Sequence, residues 1–311
     1  MKDYHILPKL RDSISYIYIE YAHIHQDKAS IILNLEDGKV PVPVAALTCL
    51  MLGPGTTITH EAIKTISTNG CLVVWCGEKG EKFYASGMGE TRSGKNVLKQ
   101  ARLCMDEQQH LAVAKKMYER RFPKLPKGDY TLQQLRGMEG IRVREAYKLA
   151  SKTTGVRWKG RNYKTKDWDA SDPINRALSA ANAILYSVCQ AAIVSLGYST
   201  ALGFVHTGKM LSFVYDIADL YKADTTIPAA FEAVQRGTGS LEKRVRIRCR
   251  DYFQRVQLLK RIPLDIEWIF DIKGSEQADA EVTGDLWDQD DSTSAGGRNY
   301  ASGETDGRDC D

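Results

Sequence analysis

The chain has 311 residues, of which 43% are hydrophobic and 26% charged, a balance typical of a soluble globular protein with room for two domains. Its opening residues, MKDYHILPKL, carry Lys2 and Asp3 and no apolar core, so we expect no secretory signal. Seven cysteines, an odd number, indicate reduced thiols rather than a disulfide framework, and we expect a cytoplasmic protein.

The formal net charge of +4 is distributed unevenly along the chain. Residues 1–88 hold 8 basic and 9 acidic side chains, residues 89–274 hold 33 against 19, and residues 275–311 hold 2 against 11. The middle region is therefore at +14 and the last segment at −9. Such a basic region favours a polyanionic partner, although solvated lysines and arginines on helix surfaces would give the same count.

The first 88 residues are predicted to form mainly strands. Alternating or apolar runs predict strands over 15–25, 29–35, 40–44 and 47–52, and the prolines Pro41 and Pro43 place the third of these at a sheet edge. A short helix is predicted over 59–70, capped by Thr59, and a hairpin over 71–87.

Long helical periods begin near residue 92. They predict helices over 95–122, 130–155, 172–197, 209–223, 228–237 and 240–262, the last ended by Pro263. Within this set, the apolar run 177–196 contains Asn182 and Gln190, so we expect a core helix and no membrane partner.

The predicted fold is therefore α+β. An N-terminal β-domain with a short helix (1–88) precedes a larger all-α domain (89–274), and an acidic tail (275–311) without apolar period is expected to be disordered.

The helix predicted over 209–223 carries two carboxylates. Its apolar face would contain Met210, Phe213, Val214, Ile217, Leu220 and Tyr221. Asp216 and Asp219 are three residues apart on one flank of that face, which predicts the rim of a cleft, and His206 precedes the helix in a loop where Gly208 would let it approach. A satisfied loop histidine and a surface pair between Asp219 and Lys222 would explain the same residues.

Glu139 lies in the middle of an apolar face formed by Leu132, Leu135, Val143, Ala146 and Ala150. A carboxylate at such a position is costly unless it is paired or binds a metal. An ion pair with Arg136 or Arg142 is one explanation. The other is a site in which Glu139, His206 and the aspartates bind Mg²⁺ or Mn²⁺, ions suited to phosphodiester chemistry.

Two basic segments could bind nucleic acid. Residues 136–166 hold ten basic and two acidic side chains, interleaved with Tyr147, Trp158 and Tyr163, and residues 243–250 include Arg244 and Arg248. Phosphates attract such charges and aromatic rings stack on splayed bases, although a core role for the aromatics is equally open.

Three motifs resemble the CRISPR-associated protein one family, in particular its subtype I-E branch. They are QLRGMEG (134–140), WKGRNYKTKDWD (158–169) and GFVHTGKMLSFVYDIADLYK (203–222), within a resemblance that runs from about Ser15 to about Ile272. The resemblance implies a homodimer, two of which flank a dimer of CRISPR-associated protein two. This assembly would insert a short double-stranded, forked DNA fragment into the CRISPR repeat array by attack of a 3′-hydroxyl on a phosphodiester.

The resemblance also implies roles for individual residues. Glu139, His206 and Asp219 would be the metal ligands, with Asp216 as a supporting catalytic aspartate. The positions expected to contact DNA are Tyr21 at the fork, Lys82, Arg136, Tyr163, Trp168, Lys209, Lys222, Arg244 and Arg248, and Thr57 and Lys82 stand where close relatives tend to carry arginine. A nuclease of branched DNA that integrates nothing, and a non-catalytic scaffold for nucleic acid, are the two alternatives.

Overall fold

The structure is a computed structural model of the chain. It describes residues 16–28, 30–47, 49–78, 82–87, 94–122, 130–161, 172–237 and 239–271, together with the pairs 286–287 and 293–294. The fold class is the predicted one: a strand-rich N-terminal part followed by a helical part.

The N-terminal part contains two four-stranded sheets and one helix. Its elements are β1 (Tyr16–Ile19), β2 (His23–Asp27), β3 (Ser30–Leu35), β4 (Gly38–Val42), β5 (Cys49–Leu52), β6 (Thr57–Ile58), α1 (His60–Thr68), β7 (Leu72–Cys76) and β8 (Phe83–Gly87). The strand orders are β1-β5-β7-β8 and β4-β3-β2-β6, so the proline-bearing β4 is an edge strand as predicted. Apolar residues from both sheets and α1 form one core, which includes Ile24, Leu50 and Ile66.

The single strand predicted over 15–25 is wrong. β1 and β2 belong to different sheets, and the chain turns between them at Tyr21, whose φ is 51°. Ile19 and Ile24 are both buried in the same core, yet residues five apart on one continuous strand would face opposite sides. The left-handed turn at Tyr21 lets both isoleucines enter the core.

The helical part contains eight α-helices within the described residues. They are α2 (Lys95–Met105), α3 (Glu107–Arg121), α4 (Leu132–Thr154), α5 (Pro173–Ser195), α6 (Ser212–Asp219), α7 (Thr226–Gln235), α8 (Leu241–Arg255) and α9 (Leu258–Phe270). The predicted local signals are confirmed at α4, where Thr131 forms a capping box with Gln134 and Gly155 ends the helix with a φ of 73°, and at α5, where Asp172 caps the helix ahead of Pro173.

α5 is the central helix of this part. Its length and composition would allow it to cross a membrane, but 56% of its most apolar window is buried inside the protein. Leu185 and Cys189 belong to one helical core cluster and Ala177 and Leu178 to another. α5 is thus the core helix that the sequence predicts.

Three predicted helix boundaries are wrong. The helix predicted over 95–122 is interrupted at Asp106, whose extended backbone and side chain cap α3 through the N–H of Gln109 at 2.8 Å. The helix predicted over 240–262 ends at Arg255, the chain turns at Gln257 with a φ of 48°, and Pro263 lies inside α9. Buried residues on both sides of Pro263 pack into the core, and this packing compensates for the helical hydrogen bond that the proline cannot make.

The third wrong boundary is that of α6, which is shorter than the helix predicted over 209–223. Met210, predicted on its buried face, precedes the helix and is 75% exposed.

In the acidic tail, Leu286–Trp287 and Thr293–Ser294 pair as two short antiparallel strands (β9 and β10), and the other tail residues lie outside the described part of the chain.

Candidate active site

Three elements of the helical part, and the loop that precedes one of them, bring the predicted site residues together. Glu139 lies on α4, Asp219 is the last residue of α6, and His206 lies in the loop before α6, while α3 ends beside them at Arg121. The side chains of Glu139 and Asp219 are 15% and 18% exposed, and that of His206 is 42% exposed. The site is therefore a half-buried pocket that solvent reaches at the histidine.

Asp216 is the structural anchor of this pocket, and its predicted position on a cleft rim is wrong. Its carboxylate is fully buried and accepts the backbone N–H groups of Phe204 (2.6 Å), Val205 (3.1 Å) and His206 (2.8 Å). Because both oxygens accept hydrogen bonds inside the protein, this carboxylate stabilises the loop that contains His206 and does not face a ligand.

The same carboxylate orients the histidine. Nδ1 of His206 is 2.7 Å from Oδ1 of Asp216, and because a carboxylate only accepts, Nδ1 carries the proton and donates it. In the neutral form of the ring, Nε2 keeps a lone pair, and this atom lies 3.8 Å from Oδ2 of Asp219. A histidine held this way through one nitrogen presents the other as a metal ligand.

Asp219 is paired on its other oxygen. Lys222 Nζ lies 2.6 Å from Oδ1, so the alternative pair foreseen from the sequence exists, although both side chains are largely buried. Burial alone would lower the pKa of Lys222, but the Asp219 carboxylate and the Tyr186 hydroxyl together outweigh burial and raise that pKa, so the ammonium stays charged.

Glu139 has one paired and one unpaired oxygen. Oε1 lies 3.4 Å from Arg142 Nη1 and 3.8 Å from Arg121 Nη1, whereas Oε2 is buried without a hydrogen-bond partner. Arg136, the other partner considered from the sequence, is exposed. Burial raises the pKa of the Glu139 carboxyl, Arg121 and Arg142 act against this rise, and Asp219 adds to it.

Arg121 is the site residue that sequence reasoning missed. It is the last residue of α3 and lies at the end of the helix predicted over 95–122, so its position in the chain was predicted but its inward direction was not. The local sequence ERRF carries no signal that one of its two arginines turns inward between two carboxylates.

The donor atoms fit a hard divalent cation. Two ligands bound at about 2.1 Å stand between about 3.0 and 4.2 Å apart, a range that includes the 3.8 Å between Nε2 of His206 and Oδ2 of Asp219. Oε2 of Glu139 is a further carboxylate oxygen at the site, and it has no hydrogen-bond partner among the described residues. Within the described ranges, however, no group of three or more His, Cys, Asp and Glu side chains is arranged so that it could hold a metal ion. Glu139 and Asp219 instead flank Arg121.

The residues predicted to contact DNA fall into two groups. Tyr21, Lys82, Arg136 and Lys209 are exposed. Lys222, Arg244 and Arg248 are committed to internal partners: Lys222 to Asp219, Arg244 to backbone carbonyls at the end of α7, and Arg248 to Glu232 and Asp251.

The aromatic residues divide in the same way. Tyr147 and Trp158 stack on each other with ring centroids 4.4 Å apart, and both pack beside Phe231, so they belong to the core rather than to a base-stacking surface. Tyr163 and Trp168 lie outside the described residues.

A family model described as CRISPR associated protein Cas1 matches residues 15–127 and 124–249. The chain belongs to this family. It is 48% identical over 289 residues to the CRISPR-associated endonuclease Cas1 2 of Thermus thermophilus, covering 91% of this chain and 89% of the relative. It is 46% identical over 258 residues to the CRISPR-associated endonuclease Cas1 of Escherichia coli K12, covering 82% and 84%.

Solved structures agree with this assignment. A TtCas1 chain in a structure described as a TtCas1-DNA complex is 49% identical and superposes with a TM-score of 0.77, covering 85% of this chain and 99% of that one. The resemblance inferred from the three motifs is thereby confirmed, and so is the fold that it implied.

Proposed function

We propose that the chain is a divalent-metal-dependent DNA endonuclease and integrase of CRISPR adaptation. The observation that carries this proposal is the placement of His206, Asp219 and Glu139 around one half-buried site. Nε2 of His206 lies 3.8 Å from Oδ2 of Asp219, and the Arg121 guanidinium lies within 4 Å of both the Asp219 and the Glu139 carboxylates. Its support from relatives is the name endonuclease and the structure of a 49% identical chain with DNA.

In this proposal Glu139, His206 and Asp219 hold Mg²⁺ or Mn²⁺. Such an ion polarises a phosphoryl oxygen and stabilises the leaving oxygen of a phosphodiester. The protein's part is to keep the ligands in place: Asp216 fixes the tautomer and direction of His206, and Lys222 holds one oxygen of Asp219. Lys209, exposed in the loop that carries His206, supplies a cation for a DNA phosphate.

Outside the pocket, we propose that Tyr21 contacts the forked end of the DNA. Its side chain is 66% exposed and leans on Gly55, so the position of the ring is set by the turn between β1 and β2 rather than by core packing. An exposed ring of this kind can stack on an unpaired base. The exposed Lys82 and Arg136 are assigned to backbone phosphates.

The wider assignments follow from the same resemblance. Residues 1–88 would form the dimerisation and duplex-contacting domain, residues 89–274 the catalytic domain, and residues 275–311 an accessory tail. The working unit would be two homodimers bridged by a dimer of CRISPR-associated protein two in the cytoplasm, acting on a DNA fragment and on the repeat.

The test compares Glu139→Ala and Asp219→Ala with the wild type in the presence of the protein-two partner and Mg²⁺. A labelled forked fragment with a 3′-hydroxyl is offered to a supercoiled plasmid that bears the repeat. Loss of several kcal/mol of transition-state stabilisation predicts joining at least about 100-fold slower, with affinity for the fragment nearly unchanged.

Glu145→Ala is the matched control, since Glu145 lies on the same helix but is 63% exposed and pairs with Lys148. This variant should join DNA normally. Near-normal joining by Glu139→Ala would refute the metal assignment. Cleavage of branched DNA by the wild type without any joining would favour the nuclease alternative, and binding without either reaction would favour the scaffold.

A further inference from the structure

The guanidinium of Arg121 lies between the two carboxylates of the proposed metal centre. Nη1 is 3.8 Å from Oε1 of Glu139, and Nη2 is 3.9 Å from Oδ2 of Asp219. The side chain is only 3% exposed, so this charge is inside the protein rather than on its surface. The guanidinium also lies over the ring of Tyr118, 4.9 Å from its centroid.

The polar atoms at this point are incompletely bonded. Nε and Nη2 of Arg121 and Oε2 of Glu139 are buried and have no hydrogen-bond partner in the part of the chain that the structure describes. Buried polar atoms without partners are uncommon in native proteins, because each one costs free energy of desolvation. Arg121 is thus close enough to attract both carboxylates but too distant to bind either one tightly, and lone pairs of both remain available.

A second cluster fixes Arg121 in this place. The preceding residue, Arg120, donates from Nε to Oδ1 of Asp265 at 2.8 Å, and Asp265 is fully buried. Asp265 also accepts the hydroxyl of Tyr221 at 2.6 Å, and Tyr221 stands two residues after Asp219. One buried carboxylate therefore ties the end of α3, which carries Arg121, to the end of α6, which carries Asp219.

We propose that Arg121 is a positioning residue that serves as the internal counter-ion of the metal-free centre, an inference that rests on the proposed function. It offsets the repulsion between Glu139 and Asp219 and so keeps them facing one another until a divalent cation binds. The same positive charge opposes the incoming cation. Arg121 therefore stabilises the metal-free protein and weakens metal binding, so that the ion is held reversibly.

The test uses Mn²⁺ alone, without DNA, and measures its Kd by calorimetry together with the melting temperature in its absence and presence. Arg121→Gln should melt at a lower temperature than the wild type without metal and should bind Mn²⁺ roughly tenfold more tightly, because one nearby positive charge is gone. Saturating Mn²⁺ should therefore raise its melting temperature by more than it raises that of the wild type. Arg121→Lys, which keeps the charge, should remain near the wild-type Kd.

Arg176→Gln is the matched control. Arg176 also has a buried Nε without a hydrogen-bond partner, but it pairs with Glu242 at 2.9 Å. Its replacement should lower the melting temperature equally with and without Mn²⁺ and leave the Kd unchanged. The same pattern in Arg121→Gln, or weaker Mn²⁺ binding by it, would overturn the inference and leave a purely structural arginine.

The melting temperatures measured without metal separate this inference from the proposed function. If the wild type binds no Mn²⁺, the metal centre itself is refuted. The counter-ion role is then judged from Arg121→Gln/Glu139→Gln, which should recover part of the stability lost in Arg121→Gln because the repulsion is removed. This double variant serves equally if Arg121→Gln alone does not fold, and absence of recovery would contradict the counter-ion role.

Discussion

Two aspartates three residues apart on α6 have opposite surroundings. Asp216 is fully buried and accepts three backbone N–H groups and the Nδ1 proton of His206, whereas Asp219 keeps an oxygen without a close hydrogen bond and is 18% exposed. Charge and residue type are identical, so the difference comes entirely from the loop that folds over one carboxylate and leaves the other open. Asp216 organises the pocket, and Asp219 faces whatever the pocket binds.

This contrast predicts unequal effects of the same isosteric change. Asp216→Asn replaces one accepting oxygen by an NH₂ group that meets N–H donors, and unsatisfied buried groups cost about 1–3 kcal/mol each, so the free energy of unfolding should fall by roughly 3 kcal/mol. Asp219→Asn keeps an oxygen that can still accept from Lys222, so it should lower the free energy of unfolding by less than Asp216→Asn does. Urea unfolding measures both, and equal losses would contradict the anchoring role of Asp216.

At the scale of single residues, the sequence predicts which residues come together better than it predicts their surroundings. Glu139 stands out as a carboxylate on an apolar face, and His206 and Asp219 stand out around one short helix, so residue type and spacing suffice to select these three residues. The burial of Asp216 depends on a loop ten to twelve residues earlier folding back onto it, which helical periodicity cannot register. Arg121 depends on a contact between α3, α4 and α6 and is likewise invisible in any local pattern.

Two glycines with different roles shape the loop between α5 and α6, which contains His206. A Cβ on Gly203 would lie 2.2 Å from the carbonyl oxygen of His206 and 2.7 Å from Cβ of Ser212, so only glycine fits there. Gly208 has open space around it but a φ of 80°, which a side chain disfavours. The sequence predicts that Gly208 lets His206 approach. In the structure Gly208 contributes a left-handed turn to this loop, and the close backbone approach occurs at Gly203.

Alanine at the two glycines should separate these tasks. Gly208→Ala should cost about 1–2 kcal/mol of conformational strain while leaving the Mn²⁺ affinity close to that of the wild type. Gly203→Ala must displace the loop, which breaks the N–H bonds to Asp216 and moves His206, so both stability and Mn²⁺ affinity should fall. Unfolding and Mn²⁺ titration together distinguish the two. A Gly203→Ala variant with wild-type metal affinity would show that the loop can shift without moving the histidine.

Most helix starts that carry a local capping signal were predictable, and the exception is the cap at Asp106, which the helix predicted over 95–122 passes through. Thr59, Thr131 with Gln134, and Asp172 before Pro173 each cap a helix through a side chain close in sequence to the first turn, so the predicted starts of α1, α4 and α5 hold. The breaks at Tyr21 and Gln257 are left-handed turns at residues with no such preference. Their cause is tertiary: each redirects the chain so that apolar residues on both sides enter a core.

At the scale of the molecule, the strand-rich and helical parts meet through an incompletely filled interface. The sheet face that carries Cys49 and Met51 stands opposite Ile184 and Val188 of α5 across an apolar cavity of about 710 Å³. An ion pair of 3.3 Å between Arg246 and Glu78 joins the two parts beside it. The relative placement of the proposed DNA contacts on the strand-rich part and the pocket on the helical part therefore depends on this interface.

Charge is the other property of the whole molecule, and it predicts a role for the last segment. Residues 89–274 are at +14 and residues 275–311 at −9, joined in one chain. A tethered polyanion has a high effective concentration at a cationic surface, so even weak contacts compete with DNA bound only through its phosphates. Competition of this kind would fall hardest on non-specific duplex.

Ending the chain at Lys273 should therefore raise the affinity for random duplex at low salt. The gain should shrink towards physiological salt, because the Debye length falls from about 30 Å at 0.01 M to about 8 Å at 0.15 M. Fluorescence anisotropy across that range measures it. A full-length variant with the eleven acidic tail residues replaced by Asn and Gln separates charge from length, and it should match the truncated chain. If the truncated, neutralised and wild-type chains bind random duplex equally at every salt concentration, the tail does not compete with DNA.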